Sequence, residues 1–117
     1  SEEGARIGPI TLYVQDVLDV LKSFHSEVHM LNFQIALTHD EKRDRATIRV
    51  APQTMPEQPE VLAKRIIEAI HRQRKLIPEM VSEGKIHPLS LEWCAATELE
   101  HNPRSGKTKH IVDKRLK

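Results

Sequence analysis

Between positions 31 and 50 apolar and polar residues alternate in two runs. Leu31, Phe33, Ile35 and Leu37 are interleaved with Asn32, Gln34 and Ala36, and Ala46, Ile48 and Val50 alternate with Arg45, Thr47 and Arg49. A period of two places every apolar side chain of such a run on one face of a pleated strand. The polar cluster His39-Asp40-Glu41-Lys42-Arg43-Asp44 between them marks a turn, so the two runs predict an antiparallel hairpin buried on one side. Before it, Ile10 to Tyr13 reads as a short strand, and Val14 to Phe24 reads as a helix because Val17, Leu18, Leu21 and Phe24 recur at helical spacing. After it, Pro52, Pro56 and Pro59 interrupt the chain. Leu62, Ile66, Ala69, Ile70, Gln73 and Ile77 then fall on one face of a helix from about Pro59 to about Lys75, with Pro78 and Gly84 closing that element. Leu89, Leu91 and Trp93 alternate with Ser90 and Glu92 in a fourth strand just after Pro88.

The resulting order, β-α-β-β-α-β, predicts an α+β domain of ferredoxin-like type: one antiparallel sheet with both helices on a single face, and an extended basic C-terminal lysine loop beyond it. A length of 117 residues fits one domain with one modest core. Aromatic residues make up only 3% of the chain (Tyr13, Phe24, Phe33 and Trp93), so aliphatic side chains must fill that core. The single Cys94 excludes an intrachain disulfide, suits a reducing compartment and, at a strand end, reads as a packed thiol rather than a nucleophile. No apolar run approaches a membrane span and no signal peptide precedes Ser1, so a cytoplasmic protein with no membrane partner is expected.

Charge is distributed unevenly. From residue 101 onward six bases (Arg104, Lys107, Lys109, Lys114, Arg115 and Lys117) face only Asp113, a balance of +5 that leaves −4 on the preceding hundred residues. A mildly acidic body with a basic end suits an anion met by that end. It does not suit nucleic acid, which calls for a basic face and, for RNA, stacking aromatics where this chain offers Asn32, Gln34, Arg45, Thr47 and Arg49. The basic end contains Asn102-Pro103-Arg104-Ser105-Gly106-Lys107-Thr108, in which Gly106 leaves the Lys107 ammonium little covered. Gly-Lys-Thr alone is not a nucleotide-binding P-loop: His101 stands where that motif needs glycine, and too little chain follows to build the required sheet. His25 and His29 lie four apart, but the helix has ended by then and no third ligand is near in sequence, so no metal site is expected.

With these segments in view, the chain resembles the C-terminal domain of adenylate-forming acyl-CoA ligases, in particular the phenylacetate-CoA ligase family and its relative coenzyme F390 synthetase. The resemblance covers nearly all of the chain. It is carried by Arg6-Ile7-Gly8-Pro9-Ile10-Thr11-Leu12-Tyr13-Val14-Gln15-Asp16-Val17, similar to the segment after the family's hinge, and by Asn32-Phe33-Gln34-Ile35, similar to its second strand. It extends to Pro103-Arg104-Ser105-Gly106-Lys107 with Ile111-Val112-Asp113-Lys114-Arg115, similar to its lysine loop and Val-x-Asp-x-Arg-like end. The family's acidic or lysine hinge residue is expected upstream of Ser1-Glu2-Glu3-Gly4-Ala5.

The resemblance implies a two-step reaction in which a carboxylate attacks the α-phosphate of ATP to give an acyl-adenylate, and coenzyme A then displaces AMP. Lys107 is the implied catalytic lysine, bridging the carboxylate and the α-phosphate. Arg104, Gly106 and Lys109 are weaker phosphate contacts. Gly8 and Thr11, with Tyr13 weaker still, are implied along the pantetheine tunnel in the thioester-forming pose, although Gly8-Pro9 reads equally as a plain turn. ATP with magnesium and coenzyme A would belong to the full-length enzyme, with none bound by this fragment alone. Residues 1–117 would be its single swinging lid domain, whose partner is the large N-terminal ATP-binding domain, in a parent that is allowed to be a homodimer. No phosphate loop, adenine pocket or acyl cavity is legible here, so the isolated fragment is expected to be inactive. The alternatives are adenylyl transfer to a deazaflavin, or a free-standing ferredoxin-like domain that senses a small metabolite at a dimer interface.

Overall fold

The computed structural model describes residues 2–115; Ser1, and Lys117 of the basic end, lie outside the described residues. The chain opens with a hairpin of β1 (Gly4–Ile7) and β2 (Ile10–Tyr13), which runs directly into α1 (Val14–Ser23). There follow β3 (Met30–Asp40), β4 (Arg43–Pro52), α2 (Pro59–Gln73), α3 (Leu76–Ser82), β5 (Ser90–Trp93), a single 3-10 turn at Ala96–Glu98, and β6 (Ile111–Asp113).

The α+β class and the β-α-β-β-α-β order hold, while the strand pairing departs from the single antiparallel sheet expected. The main sheet has the order β5-β4-β3-β6. Its centre is the antiparallel β3–β4 hairpin, but β5 runs parallel to β4 and β6 runs parallel to β3. The strand at Ile10–Tyr13 pairs with β1 in a separate two-stranded sheet and never joins the main one. The reason lies in connection length. Parallel neighbours need a crossover of a dozen or more residues, and the chain from Pro52 to Ser90, with α2 and α3, provides one. The first strand instead finds its partner two residues upstream, through the tight turn at Gly8-Pro9.

Phe33, Ile35 and Leu37 from β3 and Ala46, Ile48 and Val50 from β4 are buried in one cluster with Val17 and Leu21 of α1 and Leu62, Ile66 and Ile70 of α2. The helices therefore cover one face of the sheet, as the alternation required. The β3–β4 turn is shorter than its polar cluster suggested. Only Glu41 and Lys42 lie outside the strands, both with positive φ (50° and 67°), the twist that a two-residue hairpin loop favours. The second helix is also shorter. Arg74 adopts φ −131° and ends α2, so Ile77 belongs to α3, where it is fully buried. Both His25 and His29 lie beyond the end of α1. Cys94 follows β5 half-buried, with its N–H donated to Val50 O at 2.9 Å. Burial raises its thiol pKa, with Glu98 and Glu92 adding to the rise against Arg49, so it is a packed thiol and not an activated one.

Candidate functional site: the Lys107 hairpin

The uncovered face of the sheet presents Asn32, Gln34, Thr47 and Arg49, and the segment from Glu98 to His110 is laid across it. The segment doubles back on itself. Lys109 N donates to Glu100 O (3.0 Å), His101 and Thr108 form an antiparallel bridge, and Asn102 N donates to Lys107 O (2.7 Å). Gly106 N returns to Asn102 O at 2.8 Å. At the tip the Asn102 side chain accepts from Arg104 N (2.9 Å), and Lys107 N donates to Ser105 Oγ (3.2 Å). Asparagine and serine commonly fold turns in this manner. Gly106 takes φ +74° with open space around it, so glycine there serves the backbone and not packing.

Two residues of β3 fasten the hairpin to the sheet. Gln34 is completely buried and uses both ends of its amide. Its Nε2 donates to Glu100 O (3.1 Å) and Lys109 O (2.9 Å), and its Oε1 accepts from Glu100 N (3.1 Å) and Arg49 Nη1 (3.2 Å). One side chain therefore grips both stems of the hairpin. Asn32 Nδ2 adds a bond to Thr108 Oγ1 at 2.8 Å. A buried amide survives only when its polar atoms are satisfied, and here the satisfaction comes from the two backbone segments that carry Lys107. Sequence reasoning placed Asn32 and Gln34 on the exposed face and gave them no role. The available signal was the alternation itself, which put two amides on the face opposite the core.

Lys107, Arg104 and Lys109 are all exposed; Arg104, Gly106 and Lys107 lie at the tip, whereas Lys109 is on the stem, its N–H bound to Glu100 O and its carbonyl to Gln34. Among the described residues no carboxylate lies within 4 Å of the Lys107, Arg104 or Lys109 side chains. The hairpin's Glu100 is taken by Lys114 at 2.7 Å. That bond holds the Glu100 carboxyl below its ordinary pKa against the opposing effect of desolvation, with Lys109 and Arg49 helping. The tip thus offers an uncompensated cationic group on a framed backbone, able to neutralise an anion brought to it from outside.

Gly8 and Thr11 are not part of this assembly; they lie on the β1–β2 hairpin. Gly8 has φ +53°, and a Cβ built on it would sit 2.8 Å from Ile86 Cγ2. Its N–H donates to Asp44 Oδ2 at 2.7 Å. The glycine is thus required by the turn and by contact with the protein's own α3–β5 connection. Thr11 O accepts from Arg74 Nη2 (2.9 Å), whose guanidinium stands 5.4 Å from the centre of the Tyr13 ring. Asp44 also bonds His39 Nδ1 (2.7 Å) and Arg115 Nη1 (2.8 Å), while Arg115 reaches Arg6 O and both oxygens of Asp113. The Val-x-Asp-x-Arg-like end is therefore a clasp joining the C-terminal segment, the N-terminal hairpin and the β3–β4 turn. Burial opposes ionisation of Asp44, but the Gly8 N–H, His39 and Arg115 together outweigh it and hold the carboxyl below its ordinary value.

Taken together, a mixed sheet with helices on one face and a basic hairpin over the other defines an α+β domain of ferredoxin-like element order. Among solved structures it is similar to one described as a domain of phenylacetate-coenzyme A ligase from Bacteroides vulgatus ATCC 8482, with a TM-score of 0.59 and 15% sequence identity over 98% of this chain and 95% of that one. At that identity the likeness is one of fold, and as a likeness of fold it bears out the resemblance read in the sequence. No family model and no curated protein matches the sequence.

Proposed function

We propose that this chain is the mobile small domain of an AMP-forming acyl-CoA ligase and that Lys107 serves its adenylation step. The observation that carries the reading is an exposed lysine with no carboxylate partner among the described residues, on a hairpin whose stems are both held by the buried Gln34. An exposed tip cannot enclose a nucleotide by itself, so ATP with its magnesium, the carboxylic acid and coenzyme A would be held chiefly by a larger ATP-binding domain, against which this domain docks. There a carboxylate oxygen forms a bond to the α-phosphorus of ATP as the bond to pyrophosphate breaks. Negative charge gathers on the phosphoryl oxygens, and an ammonium delivered into a site closed to water stabilises it. Coenzyme A then attacks the acyl carbon and AMP leaves. Phenylacetate is the acid class suggested by the structural neighbour, which is described as a phenylacetate-coenzyme A ligase domain.

The test uses the natural polypeptide that carries these residues. Acid-dependent ATP–pyrophosphate exchange reads the first step, and thioester formation from a synthetic acyl-adenylate reads the second. Lys107→Ala should slow exchange about 100- to 1000-fold and spare the second step. Lys107→Arg should restore little, because a planar guanidinium does not replace a compact ammonium. Equal loss in both steps, or exchange untouched by Lys107→Ala, refutes the assignment.

A further inference from the structure

A cavity of about 310 Å³ opens between α1 and the first residues of β3, and Lys107 is not among the residues that line it. Leu18, Leu21, Val28, Met30 and Phe33 make its walls apolar. Every polar side chain that lines it is a cation, an imidazole or an amide (Lys22, His25, His29, Asn32 and His110), and no carboxylate is among them. Glu3 is bound to His110 Nδ1 at 3.1 Å; the ring donates there, so the other nitrogen of a neutral His110 is an acceptor and offers a carboxylate no proton. That ring stacks on Phe33 with centroids 5.8 Å apart and an interplanar angle of 10°, so it is held in place. His25 Nδ1 donates to Lys22 O at 2.9 Å, so the Nε2 of a neutral His25 is an acceptor too, whereas no carboxylate lies within 4 Å of Lys22 among the described residues.

We propose that this cavity binds a small carboxylic acid with an apolar tail, the tail between α1 and β3 and the carboxylate at the rim against Lys22 and His29. Three observations select that occupant. The volume lies at the lower end of the roughly 300–1,000 Å³ of small-ligand sites. An apolar lining with one ammonium at its rim, beside the His29 ring that takes part in no side-chain hydrogen bond among the described residues, is how such a site orients an anion. A partner protein or a second copy would need about 800 Å² of continuous surface, yet of the large exposed apolar side chains Leu31, Met55, Val61 and Leu76, only Leu31 lines this cavity. The site stands apart from the adenylation reading, since Lys107 takes no part in it.

Octanoate, titrated into the 117-residue chain and followed by amide chemical shifts, is the probe. Saturable shifts are expected at His29, Leu31, Phe33 and His110, with octanamide binding about tenfold more weakly or worse because it lacks the charge. Lys22→Gln should weaken octanoate about 2- to 5-fold, the range of an exposed ion pair, and Leu31→Glu, at a position 53% exposed, should abolish saturation without changing the melting temperature. The proposal is overturned if octanamide binds as well as octanoate, if no saturable shift appears, or if the shifts map elsewhere. It is equally overturned if sedimentation shows self-association that Leu31→Glu removes, for then a second copy is the occupant.

Discussion

Replacing Gln34 by leucine tests the grip on the hairpin most directly. The two side chains are similar in size, so Gln34→Leu opens no large void in a position that is 0% exposed. What it removes is four hydrogen bonds, and what it strands are the Glu100 N–H and the Lys109 carbonyl, which sit beside an apolar side chain after the exchange. Leaving a buried backbone group unpartnered costs about 1–3 kcal/mol. Because Glu100 is only half-buried and Lys109 is exposed, water repairs part of the damage, and the two groups together place the loss at about 2–4 kcal/mol. With an unfolding entropy of about 2.1 cal/mol/K per residue, a domain of this length should lose roughly 8–16 °C in Tm. Calorimetry reads that loss. Hydrogen exchange reads its location, since the Glu100 amide has its bond to Gln34 Oε1 removed and should exchange faster than the amides of α2. A melt within about 2 °C of the parent, with Glu100 still protected, would show that the hairpin is held by other means.

Glycine substitutions should separate strain from contact. Gly8→Ala meets both a left-handed backbone and a Cβ 2.8 Å from Ile86 Cγ2, whereas Gly84→Ala meets φ +74° with nothing within 4 Å. The first should cost about 2–4 kcal/mol and the second about 1–2; equal losses in denaturant melts would contradict the Gly8 packing. Acid stability should depend on Asp44, whose folded pKa lies below its unfolded one. Its contribution is fully present above the unfolded value of about 3.9 and is lost as pH falls through the folded value. Asp44→Asn should therefore destabilise the protein at neutral pH and flatten the decline of stability below about pH 4. An unchanged acid profile would remove Asp44 from the clasp.

Where one physical signal dominated, the sequence was readable. The period-two runs on either side of the 39–44 cluster located β3 and β4, and the spacing of Val17, Leu18, Leu21 and Phe24 located α1 to within a residue. Pro88 marked the approach to β5. The elements that escaped notice are short or acquire their partners from far away. β1 and β6 have 4 and 3 residues and carry no periodicity of their own; β6 exists because β3 offers it an edge. Parallel pairing of β4 with β5 is likewise a matter of where the α2–α3 crossover delivers the chain, which no local pattern encodes. At the candidate site, Lys107 was legible from its glycine neighbour and from the charge imbalance. Gln34 was not, because an amide on a polar face looks solvated until a segment 66 residues later in the chain folds over it.

That overlying segment changes how far Lys107 can travel. With Glu100 and Lys109 both pinned to the middle of a sheet, the stems have no pivot of their own, and the backbone that carries Lys107 leaves the sheet from a fixed base. In the proposed ligase the domain would then act as a lever whose arm is set by the fold. The angle at its base, and not any loosening of the tip, would determine whether the charge arrives within bonding distance of an anion or stops short.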